Sequence, residues 1–145
     1  MNYPCRYAIV RFKPYAETGE FANVGVVLFS ARGRFFGYKL LEQGTRRISS
    51  FFDELDIGVF RHARFLFSSE LQRIQRAAEL AFNSHGLTAA EADFADRVFD
   101  ELTRGREAAM HLTPGRAVLA ADPAAKLSEL FEYYVGRSFT RRPQH

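Results

Sequence analysis

Residues 19–29, GEFANVGVVLF, constrain this chain more than any other stretch. Ala22, Val24, Val26 and Leu28 alternate on one side of an extended backbone, with Phe21, Val27 and Phe29 on the other alongside Asn23 and Gly25. A strand that is apolar on both sides is covered on both sides, so the run predicts a central strand. Asn23 is then the anomaly. An amide withdrawn from water without partners costs about 1–3 kcal/mol, so it persists only if it is hydrogen-bonded or used. A structural use is available: the amide can bond the backbone of a bulge or of the preceding loop, with Gly25 permitting the close approach of a helix.

The flanking runs build a sheet around that strand. Residues 6–12 alternate and are rich in strand formers until Lys13 and Pro14 end the run, since proline lacks a ladder donor. After 20–29 comes the short polar stretch SARGR, with Gly33 available for a positive φ, and then FFGYKLLE alternates again. Two strand runs around a short glycine-bearing loop make a hairpin, so residues 6–42 read as a three-stranded antiparallel meander.

From there the period changes. Ile57, Phe60, Phe67, Leu71, Ile74, Ala78 and Ala81 recur at helical spacing over 57–82, with Arg64 on the same stripe. Ser69 opens a second capping pattern, which leaves one bent helix or two. A capping box at Thr88 to Glu91 predicts a helix over 88–104, its outer face pairing Asp93 with Arg97 and Asp100 with Arg104. Residues 108–120 hold Thr-Pro-Gly-Arg between two apolar runs, which reads as a short hairpin extending the sheet. Asp122 and Pro123 then start a last helix over 122–135, with Leu127, Leu130, Phe131 and Tyr134 as its apolar stripe.

The expectation is one α+β domain over 1–145, an antiparallel sheet packed against three to four helices. At 145 residues, 47% of them apolar and with fifteen Phe, a conventional core is easily filled. Cys5 is the only cysteine, which excludes an internal disulfide and a cysteine cage and makes a cytoplasmic location the default. No window approaches the roughly 20 apolar residues of a spanning helix, and the N-terminus lacks a signal-peptide core, so no membrane association is expected. The net charge of +3 comes from 17 Arg and 3 Lys against 17 acidic residues, a cation choice suited to phosphate and carboxylate but equally to a solubilising surface.

Familiar catalytic signatures are missing: the sequence has no P-loop, HExxH, paired CxxC, nucleophile elbow or dinucleotide fingerprint. His62, His85, His111 and His145 stand far apart, so neither a metal nor another cofactor is expected. Two constellations stand out. Arg11 points the same way as Tyr7 and Ile9 on the first strand and needs a partner, which Glu20 can supply; with Asn23 and Lys39 they form a polar patch, either an ion-pair network or the floor of a small pocket. Arg32, Arg34, Arg46, Arg47 and Arg116 lie near glycine in loops, where guanidinium and backbone amide groups can hold anions.

In the box E-F-x-N-V-G-V-x-L-F, here Glu20, Phe21, Asn23, Val24, Gly25, Val26, Leu28 and Phe29, the chain resembles the bacterial domain-of-unknown-function family 3037. Tyr7 to Phe12 and the late segment with Ala120, Asp122, Pro123, Leu127, Leu130, Phe131, Tyr134 and Val135 are similar to that family's other recognisable stretches. The resemblance implies a neighbourhood of HipA-like kinases, a toxin class of toxin–antitoxin systems, and hence a protein partner, with no activity to carry over. Three readings follow: an accessory protein that binds another protein; a nucleic-acid-binding or nuclease-accessory module using the arginine loops; and an enzyme with its site around Glu20, Asn23 and Arg11. A sheet with open edges also leaves room for a homodimer.

Overall fold

The central strand is where the sequence puts it, with a break in its alternation. The computed structural model describes residues 1–15, 17–42, 46–52, 54–84, 109–137 and 140–141. Its elements are β1 (Tyr3–Phe12), β2 (Phe21–Ser30), β3 (Phe35–Leu40), α1 (Arg46–Phe51), α2 (Ile57–Ser84), β4 (Met110–Leu112), β5 (Arg116–Ala120), α3 (Pro123–Phe131), a π-helical turn (Glu132–Arg137) and β6 (Thr140–Arg141). The sheet runs β3-β2-β1-β4, β5 also pairs with β1 and β6 with β2, and every pairing is antiparallel. The α+β architecture expected from the sequence is therefore present. The expected helix over 88–104 lies outside the described residues.

Along β1 and β2, Val10 stands opposite Gly25 and Arg11 opposite Asn23, so Val24 has no counterpart. This bulge shifts the phase of β2 by one residue. Ala22 and Val24 join Val27 and Phe29 in one core cluster, whereas Val26 and Leu28 belong to the other. The uninterrupted alternation of Ala22, Val24, Val26 and Leu28 is thereby corrected.

The first cluster fills the space between the sheet and α1 with α2. Phe12 meets Phe52 and Phe60 edge-on, with centroids 5.6 and 5.0 Å apart, and Phe29 packs against Phe36 and Phe82. Each such ring pair adds about 0.5–1.5 kcal/mol beyond the area it buries. The second cluster sits on the opposite face, where Cys5, Tyr7, Ile9, Val26 and Leu28 pack with Ala120 and Leu127. Asp122 caps α3, its Oδ1 accepting from the backbone N–H groups of Ala124 and Ala125, with Pro123 in the first turn.

Several local details settle or correct the expectation. α2 is one helix of 28 residues; the Ser68 and Ser69 hydroxyls donate back to the carbonyl of Phe65 instead of capping a new helix. α1 had no periodic signal, because only Ile48 is buried among its six residues. In the β2–β3 turn Arg34, not Gly33, takes the positive φ of 50°. Gly33 supplies room instead, since a Cβ there would lie 2.9 Å from Ser30 Oγ and 3.1 Å from Pro123 Cγ.

β4 and β5 extend the sheet, but both lie along β1 as one interrupted line and not as a hairpin. Thr113 bridges the interruption: its N–H donates to Ile9 O at 3.0 Å and its Oγ1 accepts from Ile9 N at 2.9 Å. A hydroxyl thus replaces a backbone acceptor just before Pro114, and the ladder continues at Arg116 opposite Tyr7.

Gly25 permits the close approach of a strand, not of a helix. A Cβ on Gly25 would sit 2.6 Å from the Lys39 carbonyl oxygen and 2.6 Å from Leu40 Cδ2. Backbone cannot yield as a side-chain tip can. Gly25→Ala is expected to destabilise the protein by about 1–3 kcal/mol, in the range of overpacked cores, measured by urea unfolding; an unchanged midpoint would show that β3 can move away from β2.

Candidate functional site

The patch anticipated on β1 and β2 assembles in part. Arg11 Nε donates to Asn23 Oδ1 at 3.3 Å, and the guanidinium lies 4.1 Å from the centroid of the Phe21 ring. Asn23 is 6% exposed, and its Nδ2 donates to the carbonyl of Tyr134 at 3.2 Å. Lys39 lies on the same sheet face but opposite Val26, with its ammonium 5.9 Å from the Phe131 ring. Glu20 precedes β2, and its backbone N–H donates to Thr18 Oγ1.

These contacts explain a buried Asn in an apolar strand. Carbonyls near a helix C-terminus have no intrahelical donor. In the π-helical turn the Tyr134 carbonyl takes its donor from Asn23, and the Val135 carbonyl takes one from Arg47 Nη2 at 3.3 Å. The amide of Asn23 thus ties the covering turn to β2 while its oxygen accepts from Arg11. Tyr134 is held a second time at its ring, where the hydroxyl lies 3.1 Å from Tyr7 Oη and accepts from Arg116 Nη1 at 3.1 Å. Burial pushes the Tyr7 phenol above its ordinary pKa, and the hydrogen bond with Tyr134 adds to the shift. Burial likewise raises the Cys5 thiol.

The five loop and strand arginines are dispersed. Arg32 and Arg34 lie at the β2–β3 turn, Arg46 and Arg47 at the start of α1, and Arg116 at the start of β5. Arg34 Nη1 donates to the Phe82 carbonyl at 3.1 Å, so Arg34, Arg47 and Arg116 each bond an acceptor in a different element. Among the described residues no group of three His, Cys, Asp or Glu side chains gathers as a metal site.

A second site was not assembled by sequence reasoning. A cleft of about 540 Å³ opens beside β3, lined by Tyr38, Lys39, Leu40, Glu42, Arg64, Ser68, Gln72 and Phe131. That volume lies within the range of small-ligand clefts, roughly 300–1,000 Å³. Arg64 is the charge noted on the apolar stripe of α2, the one signal that pointed here. Its Nη1 donates to the carbonyls of Leu41 at 3.1 Å and Glu42 at 3.3 Å, and its guanidinium lies 5.6 Å from the Phe60 ring.

The cleft adjoins the outer edge of β3, which among the described residues pairs with β2 alone. Leu41 N–H donates to Val24 O at 2.7 Å, continuing the β2–β3 ladder. In an antiparallel pair the bonding direction alternates, so Phe36, Tyr38 and Leu40 turn their N–H and C=O groups outward. Gln75 Nε2 donates to the Phe36 carbonyl at 3.1 Å. Among the described residues, the outward backbone groups of Tyr38 and Leu40 meet no strand, because β3 pairs with β2 alone.

Two outcomes test the Asn23 and Tyr7 assignments. Asn23→Ala strands the Tyr134 carbonyl and is expected to cost about 1–3 kcal/mol in denaturant unfolding; an unchanged midpoint would free Asn23 from this structural task. The raised pKa of Tyr7 favours its neutral form in the folded state, so its contribution is complete below the unfolded value near 10 and is lost as pH rises through the folded value. Stability between pH 9 and 11.5 is therefore expected to fall less steeply in Tyr7→Phe than in the parent. Parallel curves would contradict the shift.

No curated protein and no solved structure matches the chain significantly. No helix among the described residues is long and apolar enough to cross a membrane. One family model does match, over residues 7–135, which runs from Tyr7 in the middle of β1 through β5 and α3 to Val135 in the π-helical turn that Asn23 holds. By that match the chain belongs to the DUF3037 family, described as a protein of unknown function.

Proposed function

We propose that this protein is a non-catalytic accessory protein that binds another protein, and that the partner docks on the edge of β3. One observation carries the reading: outward backbone groups at Tyr38 and Leu40 lie beside a cleft of about 540 Å³ lined by two rings, Tyr38 and Phe131, two cations, Lys39 and Arg64, the Glu42 carboxylate and the Gln72 amide. Strand addition uses such a pair, with main-chain hydrogen bonds for affinity and side-chain pockets for selectivity. The family resemblance suggests a kinase of the HipA type as the first partner to offer. The Arg11 and Asn23 pair supports the same reading indirectly, because Asn23, which accepts from Arg11, holds the covering turn.

The test is native-level affinity purification with mass spectrometry, run on the parent, Tyr38→Pro and Tyr38→Ala. Proline at 38 deletes an outward N–H while leaving the bonds to β2 in place, as edge strands tolerate. Tyr38→Ala removes the ring but keeps the N–H. The partner's affinity is expected to drop about tenfold in Tyr38→Pro, matching one lost backbone bond with its acceptor left unpaired, and less in Tyr38→Ala. Equal recovery with Tyr38→Pro would remove β3 as the docking edge, and substrate turnover by the purified protein would overturn the non-catalytic reading. Recovery of nucleic acid whose binding falls steeply with salt would favour the arginine loops instead.

A further inference from the structure

Resting on the reading of β3 as a docking edge, we propose that its occupant is an extended acidic segment of the partner with two adjacent carboxylate side chains, one for Lys39 and one for Arg64. A strand added along β3 lies about 4.8 Å away and directs successive side chains to opposite faces. One face is that of α3, where Lys39 is exposed beside Phe131; the other is that of α2, where Arg64, Ser68 and Gln72 line the cleft. Neighbouring residues of the guest therefore meet one cation each.

The two cations are prepared for this. Arg64 is anchored by the Leu41 and Glu42 carbonyls through Nη1, and among the described residues no hydrogen bond engages its Nε or Nη2. Lys39 forms no ion pair among the described residues. Among the described residues the cleft sets one carboxylate, Glu42, against Lys39 and Arg64, which leaves an excess of one positive charge. One guest carboxylate cancels that excess, and a second gives each cation its own counter-charge while Glu42 stays exposed to solvent.

A second copy of β3 would not. Two-fold pairing centred on Tyr38 would bring both Lys39 ammonium groups to one face of the junction, and like charges there oppose pairing. An acidic guest reverses the sign of that term.

The probe is a set of three fluorescein-labelled ten-residue peptides in a Thr/Val host with a central Glu-Glu, Gln-Gln or Lys-Lys pair, titrated with the full chain and followed by anisotropy. The Glu-Glu peptide is expected to bind about threefold to fivefold tighter than Gln-Gln, with Lys-Lys weakest and the differences shrinking in high salt, as exposed charge pairs behave. Lys39→Glu is expected to invert the order of Glu-Glu and Lys-Lys, and Tyr38→Pro to weaken all three. If the peptides bind alike and Tyr38→Pro still weakens them, the acidic preference is wrong while the docking edge stands. If no peptide binds and partner recovery is indifferent to Tyr38→Pro, the edge itself fails and this inference with it. A dimer in solution that Tyr38→Pro dissociates would make a second copy the occupant and overturn the proposal.

Discussion

The pairing of β1 with β2, and the single residue by which it slips at Val24, sets the positions of everything else. Upstream of the bulge, Ala22 and Val24 face α1 and α2; downstream, Val27 and Phe29 take over that face while Val26 and Leu28 turn to α3. A regular strand would have sent either Val24 or Val27 to the wrong layer. The extra residue also adds twist and bends the strand. It lets one segment of ten residues supply two cores and still turn Asn23 toward the covering turn.

The two layers are then held by different physics. Against α1 and α2 the contacts are rings: Phe12 on Phe52 and Phe60, and Phe29 on Phe82. On the other face the apolar contribution of α3 is smaller, and polar groups do more of the fixing. Asn23, Arg47, Arg116 and Tyr7 reach the π-helical turn from β2, α1, β5 and β1, bonding two carbonyls and one phenol. Ring packing tolerates small shifts, whereas a carbonyl that takes its donor from one side chain of another element is sensitive to them. The second layer is for that reason the more sensitive of the two to a single side chain.

This division also explains what could be read in advance. The meander, the long helical stripe and the Asp122 cap follow local rules of period and capping, and they were legible. The bulge was not, because a one-residue slip betrays itself only when one face is polar, and β2 is apolar on both. The break between β4 and β5 looked like a turn since Thr-Pro-Gly is turn chemistry; only the Thr113 hydroxyl's replacement of a backbone acceptor keeps the line straight. Arg11 and Asn23 could be matched because they lie on adjacent predicted strands. The cleft draws its lining from β3, the residues after it, α2 and Phe131 of α3, and no window of sequence contains such a set. Its one trace was Arg64, a charge where the stripe called for an apolar residue.

An open edge as short as that of β3 poses a physical limit that bears on what it can hold. Gln75 already occupies the Phe36 carbonyl, so among the described residues the outward groups left to a guest are the Phe36 N–H and those of Tyr38 and Leu40, and so few backbone bonds cannot order an extended guest by themselves. Side chains have to supply the difference. That requirement moves selectivity from the backbone, which every extended peptide shares, to Lys39, Arg64 and the ring faces of Tyr38 and Phe131. Lysine on a short edge strand also repels a second copy of the same edge. The charge that discourages self-pairing is then the one that an acidic guest needs, and the brevity of the edge makes the interaction weak enough to be reversible.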